Sequence, residues 1–353
     1  MNDIRISVLT PTFNRACYLH RVWEGLRSQT VQHFEWILAD DGSTDDTGSV
    51  ARKLAEMSEF PVTLIQASTR VGKARIDNVA VATAQGDFIL WCDSDDWLLP
   101  TAIECLLRAW NSIPESARDT YVGVTALCAT EAGVIVNPFP NVKYLDTTWN
   151  DLAEVHRVYS DMLYFTRASD LKAHPFPEVD FVVPESVVWT AIGNKQTRFI
   201  PEVLQMKEYR APNAISFTGK MEYNRGRAHA LATSTRNLAV YRRSAMVRWW
   251  RLVTFIRYSV HGEISNRHQL HLWGNNSPRI AWALMWPLAW LLALKDRLQG
   301  KVRRTHREFS AANQIATITC QRLQGVGSRT ASDVPDQITE ITCASLIDGQ
   351  YPA

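Results

Sequence analysis

The sequence has no cysteine framework. Its six cysteines (Cys17, Cys92, Cys105, Cys128, Cys320 and Cys343) are scattered, with no C-x-x-C spacing. That excludes a zinc ribbon and a small disulfide-stapled secreted fold, leaving buried or free thiols in a reducing compartment. A secretory leader is also missing: residues 6–9 are too short for its apolar segment, and Thr10-Pro11 ends the run. The catalytic part is therefore expected in the cytosol. The apolar run at 280–294 (IAWALMWPLAWLLAL) does not reach across a bilayer. As a helix it covers about 22 Å, against a hydrocarbon core of about 30 Å. No internal repeat and no known nucleic-acid module is visible, so nucleic acid is not an expected partner.

What is present is an uneven distribution of charge. The net formal charge is only +2, yet residues 220–307 hold 17 Lys/Arg against three acids, Glu222, Glu263 and Asp296. The rest of the chain is acidic. A basic block argues for an anionic partner: nucleic acid, a membrane surface or an acidic substrate.

Along the first hundred residues, strand and helix patterns alternate. Residues 4–9, 34–39 (FEWILA), 62–67 and 88–92 read as strands. Helices are predicted over 17–29, after Ser43 or Thr44, over 74–84, and after Pro100. Such alternation with short connections predicts a parallel sheet covered on both faces. Ligands of such sheets bind beyond the carboxyl ends of the strands. Three polar clusters stand there: Thr10-Pro-Thr-Phe-Asn14, Asp40-Asp-Gly-Ser43 and Asp93-Ser-Asp-Asp96. Further on, 121–128 and 163–166 read as strands, and 186–192 as a short helix behind Pro184-Glu185.

The stretch DFILWCDSDDWLLP, residues 87–100, puts three carboxylates directly after a buried apolar run. Charges so placed cost several kcal/mol each unless compensated. Asp-x-Asp without His or Cys suits a hard cation, Mg²⁺ or Mn²⁺. Such an ion takes one or two carboxylates and completes its shell with water and substrate phosphate. A solvated turn has the same spelling. Asp40-Asp41 ends a second strand, where an ionised carboxylate can accept from a nucleobase N–H or cap a helix. Phe13 offers a ring on which a base can stack, or a core side chain.

Three blocks, ISVLTPTFNRACYLHRVWEGLRSQT, FEWILADDGSTDDT and GDFILWCDSDDWLLP, resemble the family 2 inverting glycosyltransferases in order and spacing. The likeness is strong over 4–110 and weaker over 120–215. It implies an α/β GT-A nucleotide-diphospho-sugar transferase fold, a Rossmann-like mixed sheet. It also implies a nucleotide-sugar donor, usually a UDP-sugar, and a divalent ion, Mg²⁺ or Mn²⁺. By position, Pro11, Thr12 and Phe13 would line the uridine pocket and Asp41 would contact the base. Asp93 would face the ribose or donor sugar, and Asp95 would bind the metal at the diphosphate. Asp96 would support the turn, and Arg75, near Asn78, could pair with the diphosphate. The family's base is a carboxylate on a later helix, often in a Glu-Asp pair. This chain has FPEVDFVVPESVVW instead. Glu185 is the expected base, Asp180 the reserve and Glu178 a third choice.

The end of the chain adds a separate feature. Residues 246–258 (MVRWWRLVTFIRY) mix arginine with aromatics, and Trp282, Trp286 and Trp290 recur every fourth residue. With Lys301, Arg303, Arg304 and Arg307 close by, the region is expected to lie in the cytoplasmic leaflet of an anionic membrane without crossing it. A helix buried in a subdomain or dimer interface is the competing account. Pro287 is expected to kink any spanning helix. The division expected is a GT-A domain at 1–215 (nucleotide half 1–110, acceptor half 111–215), a basic helical membrane-associating region at 216–308, and a loosely ordered tail at 309–353. The acceptor would be a saccharide, lipid-linked or at the cell surface. A sugar nucleotidyltransferase is disfavoured, because Thr10-Pro-Thr-Phe-Asn14 lacks the glycines of a triphosphate loop. A non-catalytic membrane-attached scaffold is disfavoured by the intact Asp41, Asp93 and Asp95.

Overall fold

In the computed structural model, the described residues are 5–134, 142–156, 158, 161–178, 183–208, 224–237, 245–300, 316–323 and 338–343. Strands β1 (Ile6–Thr12), β2 (Phe34–Asp40), β3 (Val62–Ala67) and β4 (Phe88–Trp91) are mutually parallel in the order β3-β2-β1-β4. Their side chains alternate between two buried faces, as continuous apolar strands must. Ile6, Val8, Trp36 and Leu38 face one core with helices α1 (Leu19–Arg27), α2 (Thr47–Met57) and α4 (Ala102–Asn111). Leu9, Ile37, Ala39 and Ile65 face the other, with α3 (Lys73–Thr83) and, further along the chain, α6 (Ala168–Ala173) and α7 (Ser186–Ile192). In α1 the buried Leu19, Val22, Trp23 and Leu26 follow the helical spacing of the sequence.

The helix after β2 starts later than predicted. Its N-cap is Asp46, because the Ser43 hydroxyl donates to Asp40 Oδ1 and Thr44 N–H to Asn14 Oδ1. Beyond β4 the sheet stops being parallel. Strand β9 (Met162–Arg167) runs antiparallel between β4 and β6 (Tyr121–Thr130), and β10 (Gln196–Met206) lies parallel to β6. Short strands β5 (Trp97–Leu98), β7 (Gly133–Val134) and β8 (Leu145–Thr148), with α5 (Trp149–Glu154), complete this half.

The tail, expected to be loosely ordered, contributes two strands among the described residues. Strand β11 (Ala316–Leu323) pairs antiparallel with β3, and β12 (Ile338–Cys343) pairs with β11. Edge strand β3 offers unpaired backbone groups, and a chain segment that satisfies them is held there. Ile318 is fully buried, and Arg322 Nη2 lies 2.9 Å from Glu35 Oε2.

The basic region forms helices α8 (Asn224–Asn237), α9 (Ala245–His261), α10 (Asn266–Trp273) and α11 (Arg279–Leu298). Phe255, Ile256, Trp273 and Ala281 are among the residues of a separate small core. Helix α8 also packs on α7, linking this region to the main sheet. Helix α11 continues through Pro287. Its tryptophans do not form the exposed side: Trp282 and Trp286 pack against the small core, and only Trp290 is largely exposed. The outward side is instead Ile280, Leu284, Leu288, Leu291 and Leu298. Among the described residues no helix is long and apolar enough to cross a membrane.

Candidate functional site

The carboxyl ends of β1, β2 and β4 meet in one cavity of about 530 Å³. Hydrogen bonds join the first two ends: Asp41 N–H donates to Thr12 O (2.9 Å), and Asn14 N–H to Ser43 Oγ (2.8 Å). Asn14 takes a left-handed conformation, φ 52°, which asparagine tolerates better than most residues. Pro11, Thr12, Phe13, Asp41, Arg75, Asp93, Asp95 and Glu185 all line this cavity. Asp41 and Asp95 are thus brought to the same cavity. Asp180 lies outside the described residues.

Asp41 is almost fully buried. Its Oδ1 accepts from the N–H groups of Val71 and Gly72 (2.7 and 2.8 Å), while Oδ2 lies 3.7 Å from Arg70 Nε. Burial outweighs these contacts and pushes the carboxyl up to about 6. The next residue must be glycine. Gly42 has φ 72°, and a Cβ there would collide with the Thr69 and Arg70 backbone. The close approach also brings the Arg70 guanidinium over the Phe13 ring, 4.2 Å from its centroid, so one face of that ring is already covered. Nothing in the sequence around Arg70 marked it for this role.

The acidic triplet is compensated by cations from distant segments. Lys207 follows β10, and its Nζ lies 2.7 Å from Asp96 Oδ2 and 3.8 Å from Asp93 Oδ2. Asp96 also accepts from Glu208 N–H, so it anchors the end of β10 as well as its own turn. Burial pulls Lys207 down, but Asp93 and Asp96 outweigh it and keep the ammonium charged. Asp93 is held below the usual carboxylate range: burial pushes it up, and Lys73 and Lys207 more than reverse this. Asp95 moves the other way, raised by burial and by Asp93, with Arg15 Nε 3.7 Å away as a weak counter-charge. Such an under-compensated carboxylate fits a divalent cation. Among the described residues no cluster of three or more His, Cys, Asp or Glu could hold one. An ion here would share one or two carboxylates with substrate phosphate, as Mg²⁺ commonly does.

Helix α3 and the entry to α7 close the far side. Lys73 Nζ lies 2.9 Å from Asp77 Oδ2 and 3.0 Å from Glu185 Oε1. Burial lowers Lys73, but Asp77, Glu185 and Asp93 together raise it well above its ordinary value. Arg75, expected at the diphosphate, bonds through Nε to Glu178 Oε2 at 3.0 Å, and Asn78 Nδ2 donates to Glu178 Oε1 at 3.0 Å. Glu178, the third choice for the base, is thus tied to α3. Glu185 is the more open carboxylate, its side chain 43% exposed.

Comparison with known proteins agrees with this geometry. Residues 7–124 match the model of glycosyl transferase family 2. The putative glycosyltransferase EpsH of Bacillus subtilis is 34% identical over 108 residues, 31% of each chain. A GalNAc(5)-diNAcBac-PP-undecaprenol beta-1,3-glucosyltransferase of Campylobacter jejuni is 31% identical over 107 residues, 30% of this chain and 35% of that one. The chain spans about a third of the length of these curated relatives. Among solved structures, S. aureus TarS 1–349 in complex with UDP-GlcNAc superposes with a TM-score of 0.54 at 18% identity, covering 85% of this chain and 84% of that one. A second TarS structure gives 0.55 at 17% identity, covering 84% and 54%. The matched segment contains all three strand-end clusters, and the mixed sheet continues beyond it. The chain therefore carries a glycosyl transferase family 2 domain built on a GT-A-like fold.

Proposed function

We propose that the protein transfers a sugar from a UDP-sugar to a hydroxyl of a saccharide acceptor, lipid-linked or at the cell surface, inverting the anomeric centre. The observation that supports this most is the convergence of Thr12, Asp41, Asp93 and Asp95 on one cavity, of a size that suits a nucleotide sugar. Thr12 Oγ1 is buried there with no hydrogen-bond partner among the described residues, as a ligand-facing hydroxyl would be.

Pro11, Thr12 and Phe13 bound the uridine pocket, and Asp41 offers Oδ2 to a base N–H while Oδ1 holds the loop. Asp93 faces the ribose or sugar. Asp95 would hold Mg²⁺ or Mn²⁺, which when bound supplies positive charge to the diphosphate. Arg75 reaches the diphosphate only by giving up Glu178. Glu185 takes the proton of the acceptor hydroxyl as that oxygen attacks the anomeric carbon. The bond from the anomeric carbon to the UDP oxygen breaks on the opposite face. Asp180 is the second candidate for the base.

The site would lie at the cytoplasmic face of the membrane, a reading that the helical region supports. The apolar row on α11 is flanked by exposed Arg279 at one end and Lys295 and Arg297 at the other. That arrangement suits a helix resting on an anionic surface. Lys301, Arg303, Arg304 and Arg307 lie outside the described residues.

The test is a panel of nucleotide sugars with Mn²⁺, read by nucleotide release and by calorimetric binding. Release of UDP from at least one UDP-sugar, with competition by UDP, is expected. Failure of every nucleotide to bind would overturn the reading.

A further inference from the structure

Besides Thr12 Oγ1, the buried atoms Asp77 Oδ1 and Trp91 Nε1, both on residues that line the cavity, have no hydrogen-bond partner among the described residues. Asp77 sits on α3 and is 1% exposed; its other oxygen accepts from Lys73. Trp91 ends β4, two residues before Asp93. Lys73 links the two, with its Nζ 2.9 Å from Asp77 and 5.6 Å from the centre of the Trp91 ring. An acceptor and a donor left unmatched in one buried wall are costly unless a ligand completes them.

The wall beside them is aromatic. Trp91 meets Trp189 edge to face at 6.3 Å, and Trp189 stacks on Tyr164 at 4.8 Å. Ring faces and edges of this kind suit the C–H surface of a pyranose. The charge balance also restricts what fits. The Lys73 ammonium is already shared by Asp77 and Glu185, and Lys207 by Asp93 and Asp96. A further carboxylate would find both lysines matched.

We propose that Asp77 and Trp91 form the subsite that reads the transferred sugar, and that this sugar is a neutral pyranose. One hydroxyl donates to Asp77 Oδ1, and a neighbouring hydroxyl or acetamido oxygen accepts from Trp91 Nε1. The subsite rests on the donor-site reading above and specifies its substrate class. It discriminates against uronic acids, whose carboxylate would face Asp77, Asp93 and Glu185.

The test measures binding of UDP, UDP-glucose, UDP-N-acetylglucosamine and UDP-glucuronate to the full chain, in Mn²⁺, by calorimetry. At least one neutral UDP-sugar should bind about tenfold tighter than UDP-glucuronate. Asp77→Asn is the sharper variant, because Lys73 draws the amide oxygen to itself and turns the NH₂ toward the sugar, replacing an acceptor by a donor. Trp91→Phe keeps a ring and removes the N–H. Each should erase most of the neutral-sugar advantage while leaving the Kd for UDP within about twofold. Equal binding of the uronate and the neutral sugars by the unmodified protein overturns the proposal, whatever the variants do. So does a variant that folds yet weakens UDP and UDP-sugars by the same factor, or changes neither. Those results leave the donor-site reading standing. Absence of any UDP binding to the unmodified protein removes that reading itself, and the subsite with it.

Discussion

Lys73 joins the first turn of α3 to Glu185 at the entry to α7, with Nζ 3.0 Å from Oε1. The same ammonium holds Asp77, so a carboxylate on one helix is positioned by a cation on another. As a general base Glu185 contributes to the chemical step and little to donor binding. Glu185→Gln should therefore lower single-turnover transfer by about 10²–10⁴. The Kd for UDP should stay within about twofold. If Glu185→Gln keeps its rate and Asp180→Asn loses it, the base is Asp180.

Asp95 is raised by burial and by the neighbouring Asp93, and its nearest cation is 3.7 Å away. Removing its charge should cost little in folding, since nothing depends on it as a close partner. Asp95→Ala is expected to abolish the Mn²⁺-dependent part of UDP affinity, so that UDP binds equally with Mn²⁺ or with chelator. Thermal unfolding should shift by only a few degrees. A variant that keeps its Mn²⁺ response would move the ion to another residue.

Asp41 makes two pH dependences of known sign. Its carboxyl is raised from 3.8 to about 6. The folded chain therefore holds the proton more tightly than the unfolded chain. Its contribution to stability is full below about 3.8 and is lost as the pH rises through about 6, about 3 kcal/mol at most. Binding runs the opposite way, because only the carboxylate accepts from a base N–H. UDP affinity should be flat above about pH 7 and fall toward tenfold per unit below 6. Asp41→Asn should abolish both slopes, since its Oδ1 can still accept from Val71 and Gly72. Calorimetry of binding and of unfolding between pH 4 and 8 reads each. A binding curve unchanged by the substitution would remove Asp41 from the base contact.

Much of the nucleotide half was legible because its strands are buried on both faces and its polar residues cluster at strand ends. Val62–Ala67 and Ser186–Ile192 fall on the boundaries read from the sequence. The cations around the carboxylates were not legible. Lys207 meets Asp96 across 111 positions, and Lys73 and Arg70 sit beside a glycine turn that resembles any surface loop. Only folding brings them to the acids. The antiparallel insertion of β9 was hidden for a similar reason: its apolar run is compatible with either direction. In α11 the fourfold tryptophan spacing identified one side of a helix but not where it faced. Trp282 and Trp286 pack inward, whereas Trp290 and most of the leucines lie outside.

The helical region is held by a buried charge cluster. Arg257 bonds Asp296 through Nε and Nη2, both at 2.5 Å, and His261 Nε2 lies 3.0 Å from Asp296 Oδ2. Burial pushes Asp296 up, but its bonds to Arg257 and His261 prevail and hold it below the usual range. Its contribution is present above the unfolded value near 3.8 and is lost as the pH falls through the lower folded value. Asp296→Ala leaves a partly exposed guanidinium unpaired beside the core and should cost about 2–3 kcal/mol at pH 7. Chemical denaturation should show it, with UDP affinity unaffected. A loss below 1 kcal/mol would mean that the α9–α11 contact rests on apolar packing alone.

The apolar row on α11 separates membrane attachment from burial in a second copy of the chain. Leu284, Leu288 and Leu291 are 63%, 46% and 58% exposed, so replacing them leaves the small core intact. At roughly 1 kcal/mol for each half-exposed leucine, three to glutamine should lower partitioning onto lipid by about a hundredfold. The measurement is flotation of the full chain with phosphatidylglycerol vesicles. Unmodified protein should float at low salt and less at high salt, as Arg279, Lys295 and Arg297 are screened from the headgroups. The triple variant should stay at the bottom with an unchanged unfolding temperature. If instead neither protein floats and the substitutions turn a dimer into a monomer by light scattering, the leucines meet another copy of α11 and the membrane assignment fails. The two outcomes differ physically: a lipid surface needs the flanking basic residues, whereas a leucine interface between copies does not.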